Sequence, residues 1–390
     1  MYDAVVVGAR CAGASTAMLL ARQGRSVLLV DRAPIPSDTM STLFIRPPGV
    51  ATLARWGVLD SVVESGCPAL DTLSYDVGDV RLESRTPTMP GADAAYAPRR
   101  HVLDHLLVEA AREAGADVVE RASVHGLVRR DERVTGVQLA DGEVHAHLVV
   151  GADGMRSRVA SLVEAPLRVS DPLASCVYYS AWSGIRTDFG FHERPGSWIV
   201  RIPTHDDVTL VATYFLQQEF ERVRQDPLAA HLAAVERCAP DVHALVRDAT
   251  RVDRIRGSGD QQNFFRQANG PGWALVGDAG HHLDSITASG ITNAFHQADF
   301  LAAALDGVDL ADAVATDEAT GRFAGRRDQE LAETYRGTLD LARLDLSEAR
   351  VDILRAVSTS PELTSRYFAV VMGVLTHDEF FDDPDLLDLL

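Results

Sequence analysis

The sequence predicts an α/β fold, and three observations carry that prediction. An apolar run over residues 3–8 ends in glycine, residues 11–23 set small and apolar side chains at helical spacing, and the apolar run 26–31 ends in an acid, which together read as a βαβ unit. Residues 101–114 repeat apolar positions at three- and four-residue spacing before Gly115, predicting a helix with a glycine stop. Beyond Gly290 the chain turns strongly helical, opening with Ala-Phe-His-Gln-Ala-Asp-Phe-Leu-Ala-Ala-Ala-Leu and continuing as amphipathic segments from about 316 to 357.

The intervening elements follow in order. From 117 to 151, short apolar stretches alternate with turn signals at Arg130-Asp131-Glu132-Arg133 and Asp141-Gly142, predicting a β-meander, and Val149-Val150-Gly151 returns to a buried strand. Two intervals, 70–98 and 166–260, are rich in aromatic, proline and β-branched residues and carry no nucleotide motif. They predict a mostly β-sheet substrate domain inserted into a discontinuous Rossmann-like domain over 1–69, 99–165 and 261–315, followed by a helical region over 316–390. The acidic tail from Asp378-Glu379 to Asp388 reads as a solvated terminus.

Composition narrows the function. A chain of 390 residues buries roughly 75% of its unfolded surface, enough for about two domains without a metal or disulfide staple. With 46% hydrophobic residues and no apolar run near the ~20 residues that span a bilayer, membrane insertion is not expected. Net charge is −19, which repels phosphate backbones and anionic lipid, so nucleic acid is not an expected partner. Cys11, Cys67, Cys176 and Cys238 form no C-x-x-C pair and predict reduced, partly buried thiols. All 37 basic residues are arginine, which excludes any mechanism needing a lysine amine. The opening Met-Tyr-Asp-Ala-Val-Val-Val runs straight into the glycine turn without a cleavable leader pattern, so a cytoplasmic location is expected.

The motif Gly8-Ala9-Arg10-Cys11-Ala12-Gly13 follows a strand and opens a helix, with Asp31 and Arg32 at the end of the next strand. Gly8 permits a tight turn, Gly13 close helix packing, and the helix N-terminus beginning near Ala12 faces a pyrophosphate, while Asp31 would accept from a ribose. Arg10 stands where the G-x-G-x-x-G pattern has its middle glycine; it either contacts phosphate or flavin or faces solvent at the helix start.

Further segments resemble the FAD-binding elements of the p-hydroxybenzoate hydroxylase-like flavoproteins and the related geranylgeranyl reductases, and the resemblance spans nearly the whole chain. Arg100, in Arg-Arg-His-Val-Leu-Asp-His-Leu, matches the arginine that bonds the FAD phosphate or ribose, with Arg99 as the alternative. Gly151-Ala152-Asp153-Gly154-Met155-Arg156-Ser157 resembles G-A-D-G-x-x-S, whose aspartate, here Asp153 beside Gly154, braces the structure near FAD and the nicotinamide. Gly277-Asp278-Ala279-Gly280-His281 resembles G-D-A-x-H, whose aspartate bonds the ribityl chain. Gly290-Ile291-Thr292-Asn293 matches the loop whose N–H groups face the flavin ring, where they would stabilise charge near N1 on reduction. The resemblance also sets Val124, on the strand after Ala122-Ser123, beside the adenine, with a core position as the other reading.

One departure stands out: Asp284-Ser285 replaces the proline that the family often has beside the flavin. Adjacent His281 and His282 do not face one site on a regular element, so no metal is expected. The resemblance implies non-covalent FAD, reduced transiently by NADPH or NADH, and a monooxygenase that hydroxylates or epoxidises a small apolar or aromatic molecule through a flavin C4a-hydroperoxide. Such chemistry needs a dry pocket rather than a catalytic side chain, and no catalytic residue is named. A geranylgeranyl reductase-like enzyme that saturates isoprenoid double bonds is the alternative, and a non-catalytic redox sensor the alternative of another class. Halogenation is disfavoured by the absence of lysine and of a W-x-W-x-I-P segment. Cys176 to Trp182, Trp198 and Tyr214 are either substrate walls or sheet core.

Overall fold

The computed structural model describes residues 1–382 and Leu386. Strand β1 (Tyr2–Val7) leads into helix α1 (Cys11–Arg22) and strand β2 (Val27–Val30); then come helix α2 (Arg100–Glu113), strand β3 (Asp117–Val119), strand β4 (Gly142–Gly151) and strand β5 (Trp273–Leu275). Helices α3 (Gly290–Leu305) and α4 (Ala313–Ala342) follow. The five strands pair in parallel in the order β5-β4-β1-β2-β3. This is the predicted Rossmann arrangement. Strands buried on both faces read as continuous apolar runs, as Val5-Val6-Val7 and Val27-Leu28-Leu29-Val30 do.

The meander covers one face of this sheet. Strands Gly126–Arg130 and Arg133–Leu139 pair antiparallel with each other, and the second pairs with the N-terminal half of β4. β4 thus belongs to two sheets: its first residues face Arg133–Leu139, and its last, Leu148 to Gly151, lie beside β1. α1, α2 and α3 cover the other face around a core that includes Met18, Leu29, Leu103, Phe295 and Phe323.

The second layer is the inserted sheet. Strands Ser175–Ser183, Val208–Leu216, Ser197–Thr204, Phe189–Arg194, Thr72–Val77 and Val80–Arg85 lie side by side in that order. Period-two alternation gives each face its own core. Val177, Tyr179, Trp198, Val200 and Tyr214 turn to the side that meets the C-terminal helices, while Cys176, Tyr178, Trp182 and Phe215 turn to helices Pro227–Cys238 and Pro240–Asp248. Leu167–Asp171, at the head of the second aromatic-rich interval, instead pairs with Asn263–Arg266, which pairs with His281–His282.

A buried ion cluster clamps the C-terminal helices onto this sheet. Glu193 is 1% exposed. It accepts from Arg350 at 2.8 Å and from the Tyr75 hydroxyl, while Arg350 also donates to Tyr75 at 2.9 Å and Tyr367 stacks on Tyr75. The described acids of the tail, Asp378, Glu379 and Asp382, are exposed, as a solvated terminus requires. Asp378 and Glu379 open a helix, His377–Phe381, with a capping box at Thr376, and Phe380 on it is buried in the second core. Residues 383–385 and 387–390 of that tail lie outside the described residues. All four cysteines are free and buried.

Arg350→Ala leaves Glu193 buried and unpaired, a change that costs about 3 to 5 kcal/mol. Urea unfolding should show that loss; a loss below about 1 kcal/mol would mean that the cluster does not clamp the helices.

Candidate functional site

A cleft of about 740 Å³ runs along the C-terminal ends of β1, β2, β4 and β5, reaching the inserted sheet. Its floor is the N-terminus of α1. Arg10 provides no side-chain cap, so helix geometry leaves the first N–H groups of the helix without intrahelical acceptors, with Cys11 and Ala12 lining the cleft. The approach is tight. A Cβ on Gly13 would sit 1.7 Å from the Gly8 carbonyl oxygen, and one on Gly8, whose φ is +102°, would sit 2.5 Å from that of Ala152. Gly13 therefore works through packing and does not itself line the cleft.

Asp31 lines the cleft with its carboxylate oriented by two backbone N–H groups, Ala9 at 2.7 Å and Ala33 at 2.8 Å. Each oxygen keeps a lone pair for a ribose hydroxyl. Arg32 lines the same end, exposed. Val124 also lines it, but from the loop before Gly126–Arg130 rather than from a strand, because Ala122 N–H bonds the Asp31 carbonyl and draws that segment across the sheet edge.

Asp104 gathers two arginines at the cleft floor. This carboxylate is 1% exposed and accepts from Arg10 at 2.8 Å, from Arg100 at 3.0 and 3.2 Å, and from the Cys11 thiol at 3.4 Å. Arg10 also donates to Ser37, so its solvent-facing reading is overturned: the charge is recruited to the cleft floor by a buried acid. Arg100 lines the cleft, whereas Arg99 turns away to Asp206 at 3.6 Å. Burial pushes the Cys11 thiol up, keeping it neutral. Sequence reasoning missed Asp104, although Arg100 and Asp104 at four-residue helical spacing were a usable signal.

Asp153 lines the cleft through its turn, and its carboxylate accepts from Ser157 Oγ at 2.5 Å, Arg158 N–H at 2.6 Å and Val159 N–H at 3.1 Å. Its role is to fold the turn that carries Gly154, whose φ is +83°. Gly277 and Asp278 line the middle of the cleft. A Cβ on Gly277 would collide with Ala12 at 2.6 Å, so only glycine lets this turn approach α1. Asp278 is exposed to the cleft and makes no hydrogen bond among the described residues. Buried Arg327, from α4, holds the turn by donating to the Gly280 carbonyl at 3.0 Å and the Arg266 carbonyl at 2.8 Å.

Gly290, Ile291 and Thr292 form the first turn of α3 rather than a loop. Gly290 and Ile291 line the cleft, with open space where a Gly290 Cβ would stand. The Thr292 side chain does not: it is buried against Gly49 and accepts the Arg46 N–H at 3.3 Å, because helical rotation turns it to the far face. His281 and His282 diverge as expected. His281 packs on Phe265 and Tyr335, where burial pushes it down to about 3, and His282 bonds the Gln262 carbonyl.

At the far end, Thr42, Phe44, Val177, Tyr179, Leu283 and Ser285 face the cleft. Of the aromatic candidates, only Tyr179 reaches it; Tyr178, Trp182, Trp198 and Tyr214 are core. Nothing in the sequence singled out the 39–44 loop, since its place depends on Tyr179 accepting the Ser41 N–H at 2.9 Å.

These features fit a dinucleotide with an extended sugar and a flat ring. Free helix N–H groups and two arginines suit the pyrophosphate, Asp31 and Asp278 the sugar hydroxyls, and the start of α3 the ring. Fold and site define a nucleotide-cofactor oxidoreductase. The family described as FAD binding domain matches residues 1–316, and the chain belongs to it. It is 26% identical to the digeranylgeranylglycerophospholipid reductase of Methanosarcina mazei over 309 residues, 75% of this chain and 72% of that protein. In fold it resembles the flavin-dependent brominase Bmp2, with TM-score 0.78 and 17% identity over 100% of this chain and 97% of that one. It also resembles PqsL, a probable FAD-dependent monooxygenase from Pseudomonas aeruginosa, with TM-score 0.72 and 22% identity over 95% and 99%.

Asp278→Ala should leave a soluble fold with FAD affinity weakened by about 1.5 to 3 kcal/mol, read by flavin titration; unchanged affinity would remove Asp278 from the site. Asp104→Ala frees both floor arginines and should weaken FAD binding beyond Arg100→Ala alone, and equal effects would mean that Arg10 contributes nothing.

Proposed function

We propose that the chain is an NAD(P)H-dependent FAD monooxygenase that hydroxylates or epoxidises a small apolar or aromatic molecule. The observation that supports this reading is the far end of the cleft, where Phe44, Val177, Tyr179 and Leu283 offer apolar contact area for such a molecule. When bound, FAD supplies two-electron transfer and the activation of O2. The protein's residues supply the rest. Arg10, Arg100 and the α1 N-terminus hold the pyrophosphate, Asp278 fixes the ribityl chain, the α3 N–H groups favour negative charge at the ring, and the apolar wall excludes water. The reduced nicotinamide, NADH or NADPH, binds transiently over the FAD domain.

A specific observation favours a second reading, reduction of a carbon–carbon double bond, in line with the reductase named among the sequence relatives. That reaction needs a proton donor beside the substrate. Tyr179 is in the cleft, accepts from Ser41, and donates its own proton to no acceptor among the described residues.

Oxygen dependence separates the two. FAD-loaded protein with NADPH or NADH and an apolar substrate panel should consume O2 in step with product, and product formed only without air would replace the monooxygenase by the reductase. Tyr179→Phe should cut double-bond reduction about a hundredfold or more while leaving oxygen-coupled turnover within a few-fold.

A further inference from the structure

Asp284 is a carboxylate with 0% exposure in the wall of the cleft, on the segment joining the Gly277-Asp278 turn to the N-terminus of α3. Its partners are all neutral: Ser175 Oγ donates at 2.7 Å, Gln261 Nε2 at 3.2 Å and Ile286 N–H at 3.0 Å. The network continues outward, with Ser285 Oγ donating to Gln261 Oε1 and bonding the Tyr214 hydroxyl at 3.0 Å. Charged or titratable groups approach from each packed element: Cys176 and Tyr179 on Ser175–Ser183, Tyr214 on Val208–Leu216, Asp260 beside Gln261, His282 on its own segment, and Arg46 at the Thr287 carbonyl. None forms an ion pair with Asp284 among the described residues; Asp260 is taken by Arg156 at 2.7 Å. Burial, partly offset by the Ser175 and Ile286 bonds, raises Asp284 to about 6.

We propose that Asp284 is the redox-linked proton acceptor of this site, taking up one proton from solvent when the bound FAD is reduced by two electrons. A hydride donor of the reduced-nicotinamide class delivers two electrons and one proton to the cofactor, and the second proton goes to an Asp284 carboxylate oxygen. The physical reason is charge. A buried carboxylate already costs solvation, and new negative charge in the same low-dielectric cleft favours its neutral form further. Among the described residues no cation pairs with Asp284 to hold its charge; its hydrogen-bond donors are neutral. The inference rests on FAD binding alone and holds for either reaction under Proposed function; a protein that failed to bind FAD would show no flavin absorbance before titration begins.

The test is the midpoint potential of the FAD-loaded full-length chain against pH, between 6.5 and 8, for wild type and Asp284→Asn. Wild type should lose an extra factor of ten in the reduction equilibrium per pH unit relative to the variant, 29.6 mV for a two-electron couple. Redox-difference infrared spectra of wild type should gain the carbonyl stretch of a protonated carboxylic acid on reduction, shifted in D2O and missing from Asp284→Asn. If that variant does not fold, Ser175→Ala keeps the acid but removes a donor to its ionised form, and its proton uptake should begin at higher pH with the infrared band retained. Equal slopes in wild type and Asp284→Asn, or no carboxylic acid band on reducing FAD-loaded wild type, overturn the proposal.

Discussion

Helix α1 can start where it does only because position 13 has no side chain. The Gly8 carbonyl occupies the space that a Cβ would need, and a Cβ on Gly8 would in turn collide with the Ala152 carbonyl. This double approach brings the helix N-terminus to the C-terminal ends of β1 and β4, where its free N–H groups and macrodipole favour an anion. The other cleft elements are arranged around that point. Gly277 meets Ala12, Asp31 is fixed by Ala9 N–H, and Asp104 rises from α2 to gather the floor arginines.

Charge is distributed along the cleft in a way that suits a cofactor with two chemically different ends. The end at the α1 N-terminus carries two guanidiniums on one buried carboxylate, a net positive charge that would suit phosphate. At the other end, no arginine among the described residues pairs with the buried acid Asp284. That end offers the partial positive charge of the α3 N-terminus, hydroxyls, an apolar wall and a buried acid held by neutral donors. Such a division would let strong charge hold a cofactor at one end while dipoles and hydrogen bonds act on it at the other.

The inserted sheet closes the ring end, and its two faces divide the work. One strand shows the division: Val177 and Tyr179 face the cleft side, while Cys176, Tyr178 and Trp182 face the helices behind. The Glu193, Tyr75 and Arg350 cluster secures the C-terminal helices against the cleft-side core, so the wall of the site is braced from outside by an interaction far from the chemistry. Ala288, with a left-handed φ of +50°, makes the turn into α3 at the cleft edge, a strained conformation that the surrounding packing must maintain.

The sequence by itself determined the α/β class, the strand–turn–helix at the nucleotide end and the turns at Asp153 and Asp278, because these depend on local rules: a period of two or 3.6, a glycine where φ is positive, an acid at a strand end. It also made Arg100 a candidate. Only the tertiary structure decided between Arg100 and Arg99, since that choice depends on Asp104 and Asp206 lying on different sides of the α2 start. The same holds for Arg10, for Thr292 turning to the back of its helix, and for Tyr179 standing in the cleft while its neighbours are core. Each of these is a contact between residues distant in sequence. Their selection depends on where long-range packing sets a backbone, and no local periodicity or spacing encodes that.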